Sequence, residues 1–331
     1  MVHELQKLIV LLLSLGMLSF GSHSLLIEEP LVNLGTQANP PIMWTSSWSK
    51  SGNYIALGGD EGILWILDGK SYEVIRTDTL GEGIMRVRWH PTEDLLAVAA
   101  GGLSSHVLDV FNDQRIELSG MDYHGGRSIA WDHRGERLVI ADYEGLMSIW
   151  ERNGTLQKII DKGATKSYVA VDWKPKSDEI VALSEYAWVY DAVGTLSAKF
   201  KHREEEVLML SVAWHPSGDF YVIGDYGVPD KGVPPVLQWW SSEHELIRES
   251  KISKAEYRNV RWSPDGQKLA TASDALRIWS ADGKLLFEGT SDEPLWGVDW
   301  HPEQDRIVTT DQSGKVYIWD VQANKLKQLS I

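Results

Sequence analysis

The chain of 331 residues contains no cysteine. That excludes disulfides, thiolate metal sites, a thiol nucleophile and a lipidated N-terminal cysteine. Phenylalanine is scarce, with 5 residues against 16 tryptophans and 11 tyrosines. Positive charge is also short: 32 Lys and Arg face 47 Asp and Glu, for a net charge of −15. Such a surface repels phosphate backbones, so nucleic acid is not expected as a partner. No Gly-x-Ser-x-Gly elbow occurs, and no Gly-rich loop follows a strand to open a helix. The usual signatures of an acyl hydrolase and of a nucleotide site are therefore missing. No catalytic residue, metal ligand or cofactor is assigned. What is abundant is apolar and aromatic: 43% of residues are hydrophobic, enough for a large core, and aromatics favour strands.

One long hydrophobic run is present, Leu8 to Phe20, interrupted only by Ser14 and Ser19 and preceded by Lys7. Small residues follow at Ser22 and Ser24. The pattern reads as a signal peptide over residues 1–24, which predicts an exported chain, periplasmic or extracellular, with a mature domain over 25–331. The alternative is an uncleaved anchor from Leu8 to Ile27, since about 20 apolar residues span a bilayer. Only in that alternative is a membrane a partner.

The dominant signal is repetition. "VRWHPTEDLLAVA", "VAWHPSGDFYVIG" and "VDWHPEQDRIVTT" recur along the chain, and the same tryptophan stands at Trp48, Trp89, Trp131, Trp173, Trp214, Trp262 and Trp300. The spacings are 41, 42, 42, 41, 48 and 38 residues, a period that marks a repeat architecture. In each unit an apolar residue two before the tryptophan shares its strand face. A turn such as His90-Pro91 or His301-Pro302 then ends the strand, because proline fixes φ and lacks a donor. Two more short strands follow, the second carrying an aromatic (Trp150, Tyr190, Trp240, Trp279, Trp319), and a Gly or Asn turn leads to a fourth. This grammar predicts an all-β, seven-bladed β-propeller of four-stranded antiparallel blades, beginning near residues 41, 83, 125, 167, 208, 256 and 294.

"RIWSADG", "YIWDVQ" and the tryptophan-led His-Pro and Ser-Pro turns resemble the WD-repeat family, over about nine tenths of the chain. The resemblance implies a propeller that presents a rigid face to a protein or peptide, and a ring often closed by a strand from the N-terminus. "PLVNLGT", Pro30 to Thr36, is expected to join the last blade; the alternative is that "NKLKQLSI", Asn324 to Ile331, completes it. The family's Gly-His before the first strand is missing. Apolar and aromatic packing is therefore expected to hold the blades together.

His90, His215 and His301 occupy equivalent turns in separate blades, too far apart for one metal, whose ligands must approach within about 2 Å. The loops after the second strands place acids beside tyrosines, including Tyr143 and Tyr226. They share one end of the ring with the segments that lead into each first strand. That end collects the candidate binding residues Trp44, Arg127, Tyr143, Tyr168, Tyr226, Tyr257, Arg258 and Trp296. Tyrosine and tryptophan are favoured interface anchors, and the loop acids would select a basic partner. The insertion "DYGVPDKGVPPVLQ" is a candidate specificity loop. The alternative function is a small-molecule enzyme of the lactonase or quinoprotein kind at the channel mouth, which would need clustered carboxylates there.

Overall fold

The computed structural model describes residues 41–102, 105–119, 125–161 and 167–331. These form 28 strands in seven four-stranded sheets, each sheet ordered as its strands occur in the chain and antiparallel throughout. The first strands line the centre: Met43–Trp48, Ile84–Trp89, Gly126–Trp131, Ala170–Trp173, Met209–Trp214, Asn259–Trp262 and Leu295–Trp300. Each packs on the next, and the seventh packs on the first, so the ring closes. The one helical segment among the described residues is a short 3-10 turn, Pro229–Lys231.

The core lies between blades rather than within them. Ala56, Leu64 and Ile66 of blade 1 pack with Val87, Trp89, Leu96 and Val98 of blade 2, and equivalent clusters fill the other junctions. A single four-stranded sheet cannot cover both of its apolar faces, so each blade depends on its neighbours. The repeated tryptophans supply more than area. Trp89, Trp131, Trp262 and Trp300 each donate their indole N–H to a main-chain carbonyl of the preceding blade: Ser47 at 3.1 Å, Arg88 at 3.1 Å, Ala213 at 3.2 Å and Arg261 at 2.9 Å.

The turn histidines form a second set of bridges. His90 Nε2 hydrogen-bonds the Gly135 carbonyl at 3.0 Å, and its ring meets Trp131 edge-on at 4.9 Å. His215 repeats this with Gly266 at 3.0 Å and Trp262 at 4.8 Å; His301 meets Trp48 at 4.6 Å. Gly135 has φ of +75°, and a Cβ there would lie 1.8 Å from His90 Nε2, so that turn requires glycine. Nδ1 of His90 accepts the N–H groups of Thr92 and Glu93, and Nδ1 of His301 those of Glu303 and Gln304. A ring that accepts at Nδ1 is neutral.

Two expectations need correction. The last blade takes all four strands from the C-terminal part of the chain, its outer strand being Lys325–Ser330, so "NKLKQLSI" closes it; Pro30 to Thr36 lies outside the described residues. The blades also carry buried polar sets despite the missing Gly-His. In blade 5, Trp240 donates to Gln238 at 3.2 Å, Gln238 donates to the His202 carbonyl at 2.9 Å, and His202 Nε2 lies 2.8 Å from Asp225. Trp279 and Trp319 donate to Thr271 and Thr309 at 3.2 and 2.8 Å. His202 stands twelve residues before its tryptophan without a glycine beside it, which hid the set in the sequence.

The indole bonds can be tested by contrast. Trp300→Phe loses its bond to Arg261, whereas the Nε1 of Trp214 has no partner. Trp300→Phe is expected to cost about 1–2 kcal/mol more than Trp214→Phe in denaturant unfolding; equal losses would show that the indole bonds contribute nothing.

A pH dependence follows from the histidines. Burial lowers the pKa of His90 and His301, and burial with Arg115 beside it brings His106 down to about 4. Because the folded values are depressed, the stability these rings confer is complete above the unfolded value of about 6.5 and is lost as pH falls through the folded ones. The thermal midpoint is expected to drop between pH 6.5 and about 4, and a flat profile over that range would refute the assignment.

Candidate functional site

The loop-rich end of the channel is shaped by a repeated irregularity. In five blades the register of the inner strand skips one residue, four before the tryptophan: Trp44, Met85, Arg127, Leu210 and Trp296. A β-bulge leaves its extra residue unpaired and re-aims the side chain. In the other two blades, Val169 and Arg258 immediately precede the shorter inner strands. Val169 and Leu210 are buried, whereas Trp44, Met85, Arg127, Arg258 and Trp296 stay partly exposed.

Four of the expected residues meet. Trp44 and Trp296 stack at 6.2 Å with 18° between their planes. The Arg258 guanidinium lies 3.9 Å from the Trp296 ring and 5.8 Å from the Tyr226 ring, and Glu256 pairs with it. Arg127 forms a second group: it lies 5.4 Å from the Tyr143 ring and donates to Ser167 Oγ at 3.1 Å. Burial, with Arg258 also facing it, holds Arg127 below the usual guanidinium range, and burial raises the Tyr143 phenol. Tyr143 and Tyr226 are 37% and 36% exposed, open enough to be touched.

Tyr168 and Tyr257 do not belong to this surface. Both are fully buried. They stand five before the tryptophan, the register that carries Met43, Ile84, Met209 and Leu295 in other blades. The Tyr168 hydroxyl bonds that of Tyr190 at 3.3 Å, and Tyr257 covers Gly224, where a Cβ would come within 2.5 Å of its own. They pack blade against blade.

The loop acids are also committed to structure. Asp142 accepts the N–H groups of Glu144 and Leu146, Asp225 those of Gly227 and Val236, and Asp311 those of Ser313 and Lys315. The acids left on the rim are exposed: Glu144, Glu204, Glu205, Glu206 and Asp292. Asp122, Tyr123 and His124 lie outside the described residues. Among the described residues no group of three or more His, Asp or Glu could hold a metal ion.

Sequence reasoning missed Glu256 as the partner of Arg258, and it missed Arg86. The residue three before each tryptophan is Thr45, Ser128, Ala170, Ser211, Asn259 or Gly297 in the other blades. One arginine among these small or uncharged residues was a visible signal.

Residues 283–320 match the WD domain, G-beta repeat family, and residues 45–190 match the family described as eukaryotic translation initiation factor eIF2A. Intraflagellar transport protein 80 homolog of Mus musculus is 21% identical over 61% of this chain and 25% of its own length. WD repeat-containing protein slp1 of Schizosaccharomyces pombe is 22% identical over 70% of this chain and 48% of its own. SIR4-interacting protein SIF2 of Saccharomyces cerevisiae is 22% identical over 61% and 40%. The matched segment spans less than half of each relative. These are intracellular eukaryotic proteins, which overturns the expectation of export to a periplasm or extracellular space. The seven four-stranded blades, the WD-domain match and the WD-repeat relatives together make this chain a member of the WD-repeat β-propeller family.

Proposed function

We propose that the propeller binds a segment of a partner protein at the loop-rich channel mouth, centred on Trp296 and Arg258. A protein-interaction scaffold is the role its WD-repeat relatives suggest. The observation that carries the location is the Trp44–Trp296–Arg258–Tyr226 group, drawn from blades 1, 7, 6 and 5 onto one spot. Aromatics and arginine held rigid before contact lose little entropy on binding and commonly dominate affinity. Tyr226 belongs to the blade 5 insertion, which is tied down by Asp225 and by the bond from Arg203 to the Pro234 carbonyl at 3.2 Å. A fixed insertion of this kind suits a specificity loop. The exposed rim acids would meet basic residues of the partner, while the mouth itself, with Arg127 and Arg258, favours aromatic or acidic ones. Among the described residues, arginines and tryptophans occupy the place where the enzyme alternative required clustered carboxylates.

The test compares proteins captured by the full chain with those captured by variants. Trp296→Ala and Arg258→Ala are expected to change unfolding by no more than about 1 kcal/mol and to weaken binding of a given partner at least about tenfold, or 1.4 kcal/mol. Lys176→Ala and Glu303→Ala, both exposed at turns of the opposite face, should leave both unchanged. Equal binding by the two pairs would move the active surface elsewhere.

A further inference from the structure

Arg86 sits on the inner strand of blade 2, one residue below the mouth ring. It is 8% exposed, yet no hydrogen bond, ion pair or ring contact is made by its guanidinium among the described residues. Its nitrogens are not among the fully enclosed unpaired atoms, so they meet the channel solvent; a guanidinium so largely buried has still given up much of its hydration without gaining an anion in return. In a chain with 47 acids against 32 bases, an unmet arginine is not for want of carboxylates. The neighbours deepen the imbalance. Arg88, on the same strand, makes its one bond to the carbonyl of Val87 at 2.9 Å. Arg127 on the next blade bonds a serine and faces a tyrosine ring, without a carboxylate.

Across the channel, Arg261 lies 3.5 Å from Asp299, and Asp172 is occupied by the N–H of Trp214 at 2.7 Å. Arg258 is met by Glu256. Among the described residues Asp172 and Asp299 thus answer Arg88 and Arg261, which leaves Arg86 and Arg127 without an anion. Burial and the fields of Arg261 and Arg127 push Arg86 down to about 10, the direction expected of a cation that lacks an anion. A further buried donor, Asn259 Nδ2, is also without a partner, at the position of blade 6 that Arg86 occupies in blade 2.

We propose that the upper channel is a binding site for a small dianion of the phosphate class, held chiefly by Arg86 and Arg127. A phosphate monoester carries about 1.5 to 2 negative charges at pH 7, which matches the excess, and its oxygens suit the guanidinium fork. A monovalent carboxylate would leave half the excess in place. The ligand reaches the site through the mouth, between Arg127 and Arg258, and shares Arg127 with the proposed protein-binding surface; Arg86 lies below that surface, so its variant tests this site apart from the protein-binding role.

The experiment follows thermal midpoint and calorimetric binding of the full chain in inorganic phosphate against chloride at constant ionic strength and pH 7. Phosphate is expected to raise the midpoint in a saturable way. Arg86→Met is expected to raise the midpoint of the ligand-free protein, by removing the unmet charge, and to weaken phosphate binding at least tenfold. Should Arg86→Met not fold, Arg127→Met carries the same expectation for phosphate. A parallel titration with glycerol phosphate separates the sources: tighter binding than phosphate marks an organic monoester, and binding of phosphate alone marks the free ion. No gain over chloride would overturn the proposal. So would an undiminished gain in Arg86→Met, which would mean an adventitious ion only.

Discussion

The ring rests on one contact made repeatedly, the indole of a first-strand tryptophan reaching back to the main chain of the blade before it. It fills the junction with a large aromatic and adds a bond to a main-chain carbonyl of the neighbouring inner strand. A buried indole N–H needs a partner, so the bond fixes how far each blade turns relative to its neighbour. Where the bond is missing, other chemistry enters. Trp214 has no acceptor, but Lys174 lies 4.9 Å from its ring and Asp172 takes its main-chain N–H. Trp48 likewise has none, and Asp299 receives its N–H at 2.8 Å and the Ser47 hydroxyl at 3.0 Å. Aspartate one before the tryptophan therefore does for two junctions what the indole does for four.

Most of the architecture was legible because it is periodic. The tryptophan spacing predicted seven blades, and the position four before it predicted the mouth. The structure adds the reason: a register skip turns that residue out of the sheet, and the skip cannot be seen in a string of letters. The position five before it was equally readable and was misread. Tyr168 and Tyr257 look like binding residues in isolation, but the column they share with Met43, Ile84, Met209 and Leu295 is apolar and buried. Their hydroxyls disguise a packing role.

Features that depend on single, non-repeating residues were harder to see. The His202–Asp225 pair depends on one histidine that no other blade repeats at that place before its tryptophan, and the strand that completes blade 7 was ambiguous because either end of the chain offered a suitable segment. Charge was misleading in another way. The overall balance is strongly negative, and it hid an inner wall on which arginines outnumber acids among the described residues. Net charge describes the outer surface that solvent meets; the interior of a ring has its own balance, written by the few residues that face inward.

The way blade 7 is finished has a mechanical meaning. Six junctions are tethered by the polypeptide as it passes from one blade to the next. The seventh, between the last blade and the first, is crossed by no strand among the described residues. It holds through Asp299, the His301–Trp48 contact and a shared apolar layer of Val308, Val316 and Ile318 against Leu57 and Leu67. Among the described residues the ring is a split washer rather than a welded one. A gap at that seam unzips no ladder, as at every other junction; what sets this one apart is that no described linker limits how far it opens, so the widest opening of the ring should occur there.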